Sequence, residues 1–307
     1  MDVILHLGAH RTASTSFQHY MRASLGRLEP LGVGFWTPSG DMADTGPVTS
    51  GETPDEQLLQ ARDHIVANLD RAQARGIHTL VISDENVIGT PQQLLREARL
   101  YNGIGERMAR YSEVFGGRLT RIVLTIRSQD NFWSSIAAQA VAQGQPVPSA
   151  EELGRLAAQK RGWRDVITDL ACAVSGTDIQ IHPFEVFGSL PEHGLTAMTG
   201  LETTPTKYAR EWLNRSPGRS ELRAILTKRS EDPEQVPTGD GRWLPFDRDQ
   251  SRMLREAYAD DLFWLRAGAS GLAKLIEVTG PAKTGKQPSA GDTIRGQDDG
   301  KDDRRLA

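Results

Sequence analysis

The sequence has a single cysteine, Cys172, among 307 residues. No intrachain disulfide is open to it, which excludes an oxidised, disulfide-stapled scaffold and suits a reducing interior. Long apolar runs are missing too. Nothing approaches the roughly 20 consecutive apolar residues of a membrane-spanning helix, and no basic stretch leads into a long apolar one at the N-terminus. A membrane span and a signal peptide are therefore not expected, and cytoplasmic residence is. Lysine is scarce, 7 against 29 arginines, with the first at Lys160. Any cation needed in the first half must be an arginine, the terminal amine or a protonated histidine. Net positive charge is lacking, since 36 basic and 40 acidic side chains leave −4, which argues against a general nucleic-acid binder. No His/Cys cluster has metal-ligand spacing. Hydrophobic residues make up 38%, enough for a sizeable core, so wholesale disorder is excluded. Cys172 lies in Leu170-Ala171-Cys172-Ala173-Val174, which reads as a packed helix face with a structural thiol.

Strand-like and helix-like segments alternate along the chain. Residues 3–7 form a short apolar run closed by Gly8, and 12–27 has helical character. Residues 33–36 read as a second strand, and 37–54 as a long loop of the kind that is commonly functional. Pro54 and Asp55 open a helix with Leu58, Leu59, Ile65, Val66, Leu69 and Ala72 on one face, ended by Gly76. Strands are expected at 80–82, 122–126 and 179–182, with helices over 91–115 and 151–174. Another helix should follow the strand at 122–126, where Phe132, Trp133, Ile136, Ala137, Ala140 and Val141 recur at helical spacing. The remainder to about 280 reads as mostly helical, with a loop at 231–247. Strands separated by helices imply an α/β fold with a central parallel sheet flanked by helices. One domain over 1–280 is expected. Residues 281–307 hold only Ile294 and Leu306 as large apolar groups, so a disordered tail is expected there.

In an open parallel sheet, ligands bind beyond the carboxyl ends of the strands. The first such junction reads Gly8-Ala9-His10-Arg11-Thr12-Ala13-Ser14-Thr15-Ser16. A glycine ends the strand, small and hydroxylated residues follow, and a helix begins. Its free N–H groups and dipole form an anion site, to which the hydroxyls add donors. An ordinary helix cap by Thr12 or Ser14 would use the same residues. The dinucleotide fingerprint G-x-G-x-x-G is excluded, since only its first glycine is present. The nucleotide-triphosphate loop G-x-x-x-x-G-K-[ST] fits poorly, because its second glycine falls on Ala13 and its lysine on Ser14.

Residues 5–18 resemble the phosphosulfate-binding loop of the P-loop sulfotransferase superfamily, where a strand leads into G-x-x-K-T-G-T-T or close variants. Arg11 stands at the usual Lys, Thr12 at the Thr, and Ser14-Thr15 at the hydroxyl pair. The chain departs twice: a bulkier, permanently charged Arg replaces Lys, and Ala13 replaces Gly, which is tolerable only at negative φ. The resemblance implies that Arg11, Thr12, Ala13, Ser14, Thr15 and Ser16 bind 3′-phosphoadenosine 5′-phosphosulfate (PAPS), with Arg11 facing the sulfate and the bridging oxygen.

A second match follows the strand at 122–126: Arg127-Ser128-Gln129-Asp130-Asn131-Phe132-Trp133-Ser134-Ser135. In the superfamily an Arg ending this strand and a Ser eight residues on bind the donor's 3′-phosphate. Arg127 and Ser135 have that spacing, although Ser128-Gln129 replaces the frequent Asp-Pro. The geometry makes sense without the family. An Arg at a strand end facing the crevice and a Ser in the next helix can converge on one phosphate. Ile179-Gln180-Ile181-His182-Pro183-Phe184-Glu185 resembles the family's late strand, implying Phe184 near the adenine, with a core Phe as the other reading. Asn214-Arg215-Ser216-Pro217-Gly218-Arg219 resembles the late loop that closes over the 3′-phosphate, with a solvated loop as its other reading.

Sulfuryl transfer to a hydroxyl needs a group that takes or orients its proton, and donors where charge builds on the leaving phosphate. Leu80-Val81-Ile82-Ser83-Asp84-Glu85-Asn86 puts two carboxylates at a strand end where the superfamily's base, a His or a carboxylate, can stand. Glu85 leads because it reaches further into the crevice. Asp84 follows, with a turn cap as its other role. His10 is third, as base or as a contact of the leaving group. The same apolar run before Asp-Glu resembles the magnesium-site strand of ATPases, so a P-loop ATP-using kinase or ATPase is the rival. A non-catalytic nucleotide-binding protein is the third class. The expectation is a PAPS-dependent sulfotransferase acting on a carbohydrate or small hydroxylated metabolite. It requires no metal and has no nucleic-acid or membrane partner.

Overall fold

Runs of leucine, isoleucine and valine with no polar alternation suit strands covered on both faces, and such runs form the centre of a single sheet. The computed structural model describes residues 1–37 and 54–277, without the side chains of 54–57. In chain order the elements are β1 (Asp2–Gly8), α1 (Ser14–Leu28), β2 (Val33–Trp36), α2 (Pro54–Ala74), β3 (Thr79–Ser83), α3 (Pro91–Glu97), α4 (Ile104–Val114) and β4 (Leu119–Ile126). There follow α5 (Gln129–Ala142), α6 (Ala150–Ala158), α7 (Trp163–Ala173), β5 (Asp178–Pro183), α8 (Phe184–Phe187), α9 (Pro191–Thr199), α10 (Arg219–Lys228), α11 (Arg248–Arg266) and β6 (Lys274–Leu275). The six strands are ordered β2-β3-β1-β4-β5-β6 and every pairing is parallel. The chain thus fills one side of β1 with β2 and β3, then crosses to β4 on the other. That switch point opens a crevice beyond the carboxyl ends of the central strands.

Alternate residues of the strands serve different layers, as a two-residue period requires. Val3, Leu5 and Leu7 of β1 join Ile122, Leu124 and Ile126 of β4 in the larger core, with Ile65 and Leu69 of α2, Met108 of α4, and Val166 and Leu170 of α7. Ile4 and Val123 face the other way, against Phe17, Tyr20 and Met21 of α1 and Leu195 and Met198 of α9. A third cluster joins Ala137, Ala138 and Val141 of α5 to Leu222 and Leu226 of α10, Val236 and Trp243. The same seam is tied by Arg229, which donates to the carbonyl oxygens of Val141 at 2.7 Å and Gly144 at 2.9 Å.

Several expectations are corrected. The helix expected over 91–115 is two, because Ala98, Tyr101 and Gly103 take φ of 45, 39 and 80° between them. The helix expected over 151–174 is also two. The extended Gln159 ends α6, and Asp261 of α11 starts α7 by accepting from the backbone N–H groups of Trp163 at 2.8 Å and Arg164 at 3.1 Å. Residues 201–218 are irregular rather than helical; Pro205 and Pro217 lack the N–H a helix needs, and Tyr208 and Asn214 are left-handed. Cys172 is exposed, since Trp163, Val166, Ile167 and Leu170 define the buried face of α7. Leu59 is 57% exposed. The loop read at 37–54 lies outside the described residues except at its ends, and the tail at 281–307 lies outside them entirely. No described helix is long and apolar enough to cross a membrane.

Candidate functional site

The residues following four adjacent strands line one cleft of about 910 Å³. They are His10, Arg11 and Ala13–Thr15 after β1, Glu85 after β3, Arg127 after β4 and Phe184 at the end of β5. One wall is α5, through Asn131, Ser134, Ser135, Ala138 and Gln139. Irregular chain, including Trp212–Gly218 and Asp240–Leu244, completes the lining.

The loop after β1 is bent by two residues in the left-handed region, Arg11 at φ 66° and Ala13 at φ 64°. The negative φ that alanine prefers at position 13 is therefore not what the fold provides. Ala13 is also the cap residue of α1 and gives the helix no side-chain cap. Neither Thr12 nor Ser14 plays that part. The Thr12 hydroxyl donates to the carbonyl oxygen of Ala9, and the buried Ser14 hydroxyl has no partner. Gly8 is required by close approach: a Cβ there would stand 2.1 Å from Ser14 Oγ. The start of α1 thus keeps free donors, the condition for anion binding at a helix N-terminus.

The two matched segments meet. Arg127 Nη1 donates to the carbonyl oxygen of Arg11 at 2.8 Å, and Arg11 Nε donates to Ser135 Oγ at 3.2 Å. Arg11 Nη2 continues to Asn214 O at 2.7 Å and Ser216 Oγ at 3.0 Å, and the Ser135 and Ser216 hydroxyls are hydrogen-bonded to each other. The Arg11 side chain therefore reaches toward Ser135 and the 214–216 segment. Arg127 is 4% exposed, and its guanidinium carbon stands 4.5 Å from the ring centroid of Phe184. Phe184 is buried yet borders the cleft, with one face taken by Arg127. Burial, and then the charge of Arg242, pull the Arg127 pKa down to about 9, against the attraction of Glu185. Its Nε has no partner. Arg215 is paired with Glu221 at 2.6 Å. Arg11, Arg127 and Arg242 have no ion-pair partner among the described residues, which leaves a positive, donor-rich floor.

The two carboxylates after β3 separate in role. Asp84 is buried and its Oδ1 accepts from the Asn86 N–H at 2.9 Å, holding the turn. Burial raises its pKa against those backbone bonds. Glu85 borders the cleft, and its Oε2 accepts from Gln18 Nε2 at 2.8 Å. His10 is 6% exposed, and its pKa is pressed to about 4 by burial. Ser16 faces away from the cleft, where its Oγ accepts from the Leu213 N–H at 2.8 Å. Sequence reasoning missed Trp212, Arg242 and Tyr101. They lie in irregular segments, and only the Gly-rich run Gly239-Asp240-Gly241-Arg242 offered a signal.

Beneath the loop, on the α1 side of the sheet, runs a buried polar row. His6 Nδ1 is hydrogen-bonded to Ser83 Oγ at 2.9 Å, and His182 Nε2 has no partner. Among the described residues no group of three or more His, Cys, Asp or Glu is placed to hold a metal ion. Comparisons with family models, with curated proteins and with solved structures find no match to this chain.

Proposed function

We propose that the chain is a PAPS-dependent sulfotransferase. The observation that carries the reading is the contact between the two motifs that resemble the superfamily's donor site, through Arg127 to Arg11 and Arg11 to Ser135. The donor's chemistry fits the cleft. Its anionic ends would meet unpartnered buried polar atoms, Ser14 Oγ and Arg127 Nε, and its base has Phe184 and Trp212 along the same cleft. PAPS supplies the sulfuryl group.

The chain's residues divide the work. The α1 N–H groups, Thr15 and Ser14 hold the phosphosulfate end, and Arg127 with Ser135 holds the 3′-phosphate. Glu85 orients the acceptor hydroxyl and takes its proton as the oxygen bonds to sulfur. The bond from sulfur to the bridging oxygen breaks, and its electron pair leaves on the nucleotide phosphate. The helix start stabilises the charge that develops there, while Arg11, hydrogen-bonded to Ser135, serves the 3′-phosphate end. The acceptor is a carbohydrate or small hydroxylated metabolite, a class with which Glu85 can share a hydroxyl proton.

Calorimetric titration with 3′,5′-ADP, ATP with magnesium, and NAD tests this reading. A clear preference for 3′,5′-ADP is expected, followed by sulfuryl transfer from PAPS. Preference for ATP with magnesium would overturn it in favour of a kinase or ATPase, and 3′,5′-ADP binding without any sulfated product would leave a non-catalytic binding protein.

A further inference from the structure

His10 and Tyr101 are linked twice. The Tyr101 hydroxyl accepts from the His10 backbone N–H at 2.8 Å and lies 3.0 Å from His10 Nδ1. Burial raises the Tyr101 pKa, so the hydroxyl keeps its proton. No other acceptor for that proton is recorded among the described residues. With the phenol oxygen already accepting from the backbone, its proton goes to Nδ1, and the ring proton must then be on Nε2. Nε2 is buried and unpartnered, and His10 borders the cleft together with Arg11, Ser14 and Glu85. Besides Tyr101, the Asn86 side chain acts on the ring by hydrogen bonding, which raises its pKa, and Arg11 by its charge, which lowers it.

Tyr101 is held firmly in an unfavourable conformation. Its φ is 39°, a region that non-glycine residues adopt only when surrounding contacts impose it. Arg161 provides such contacts, donating to the carbonyl oxygens of Leu100 at 2.6 Å and Tyr101 at 3.5 Å while paired with Asp169 at 2.5 Å. The Tyr101 ring is also wedged against Phe132 and Trp163, with centroids 6.2 and 6.0 Å away.

We propose that Tyr101 is a positioning residue that fixes His10 as its Nε2–H tautomer, so that His10 serves as a neutral hydrogen-bond donor to the departing phosphate and not as the base. The assignment of what the donor meets rests on the sulfotransferase reading; the tautomer does not. In the step itself the acceptor's proton goes to Glu85. The electron pair of the broken bond to sulfur stays on the phosphate oxygen, to which His10 Nε2–H donates without giving up its proton. A neutral donor suits this place, because a second positive charge beside Arg11 would repel it.

Long-range proton–nitrogen NMR of the histidine rings in the full chain tests the proposal, with the His10 signal identified by its loss in His10→Gln. The wild-type ring is expected to carry its proton on Nε2 across pH 6–8, and inorganic pyrophosphate is expected to shift that proton's resonance. Tyr101→Phe is expected to mix the tautomers and to lower kcat about 10–100-fold, the scale of a lost positioning partner, with KM for PAPS little changed. A purely structural role would lower thermal stability without moving the tautomer. An Nδ1–H tautomer in the wild type overturns the proposal, and so does Tyr101→Phe with unaltered tautomer and kcat. Should Tyr101→Phe fail to fold, the wild-type spectrum still decides. Absence of sulfuryl transfer, with the Nε2–H tautomer present and shifted by pyrophosphate, would sink the sulfotransferase reading while sustaining His10 as an anion donor.

Discussion

The guanidinium of Arg127 lies over the ring of Phe184, 4.5 Å from its centroid. The two residues directly follow adjacent parallel strands, β4 and β5, whose last residues are paired, so sheet register brings them together. The contact orients a cation that burial has stripped of solvent, an arrangement in which cation–π attraction is strongest.

Arg127→Ala is expected to weaken 3′,5′-ADP binding much more than 5′-AMP binding, since only the former carries the 3′-phosphate. Loss of a charge-assisted contact costs roughly 1.5–3 kcal/mol, about one to two decades in affinity. Titration calorimetry of both ligands checks this, and equal losses would place Arg127 away from the 3′-phosphate.

Glu85→Gln keeps the side chain's size but removes its basicity, so turnover should fall by roughly 10²–10⁴ while 3′,5′-ADP affinity holds. Asp84→Asn should be milder, because Asp84 serves the turn through Asn86. Steady-state rates of both variants decide, and the reverse ranking would move the base to Asp84.

Ala13 occupies the left-handed region at φ 64°, where a Cβ costs roughly 1–2 kcal/mol. Ala13→Gly removes that strain and adds unfolded-state freedom, a smaller penalty. A rise in Tm of about 1–3 °C is expected, with nucleotide affinity retained. A fall in Tm would mean that the methyl group's contacts outweigh the strain.

Burial holds His6, His10 and His182 neutral, at about 4, about 4 and about 3. Unfolded, each binds a proton near pH 6.5. Between about 6.5 and 4 the unfolded chain therefore holds more protons, so stability is complete above that window and falls as pH drops through it. Urea midpoints at pH 7.5 and 5 should differ in that direction, and His182→Gln should narrow the difference. Asp84 and Asp261, whose pKa burial raises, act in the opposite sense, so an unchanged difference in His182→Gln is the result that would contradict the burial of that ring.

The first half of the cleft was legible in the sequence because it hangs on strand ends. A buried apolar run fixes where Arg11, Glu85 and Arg127 begin, and helical spacing then carries Ser135 to the same side. The irregular part of the lining was not legible. Trp212 and Arg242 belong to irregular chain whose course is set by tertiary contacts, such as the packing of Trp243 against α5. The break between α3 and α4 carried only Asn102-Gly103 as a turn signal, since Ala98 and Tyr101 take positive φ without being glycine. Position 13 is instructive in the other sense. The superfamily pattern has Gly there, and the backbone adopts the conformation glycine favours although the side chain is alanine.

The seam between α5 and α10 has a consequence for binding thermodynamics. Leu222, Leu226, Val236 and Trp243 are packed on the helix that carries Ser135, and Arg229 fastens its end. The wall bearing Arg242 therefore cannot swing away from Ser135 without unpacking that seam. The ordering entropy of these groups is spent during folding, so an incoming anion meets a preorganised set of donors and more of its contact energy survives as affinity.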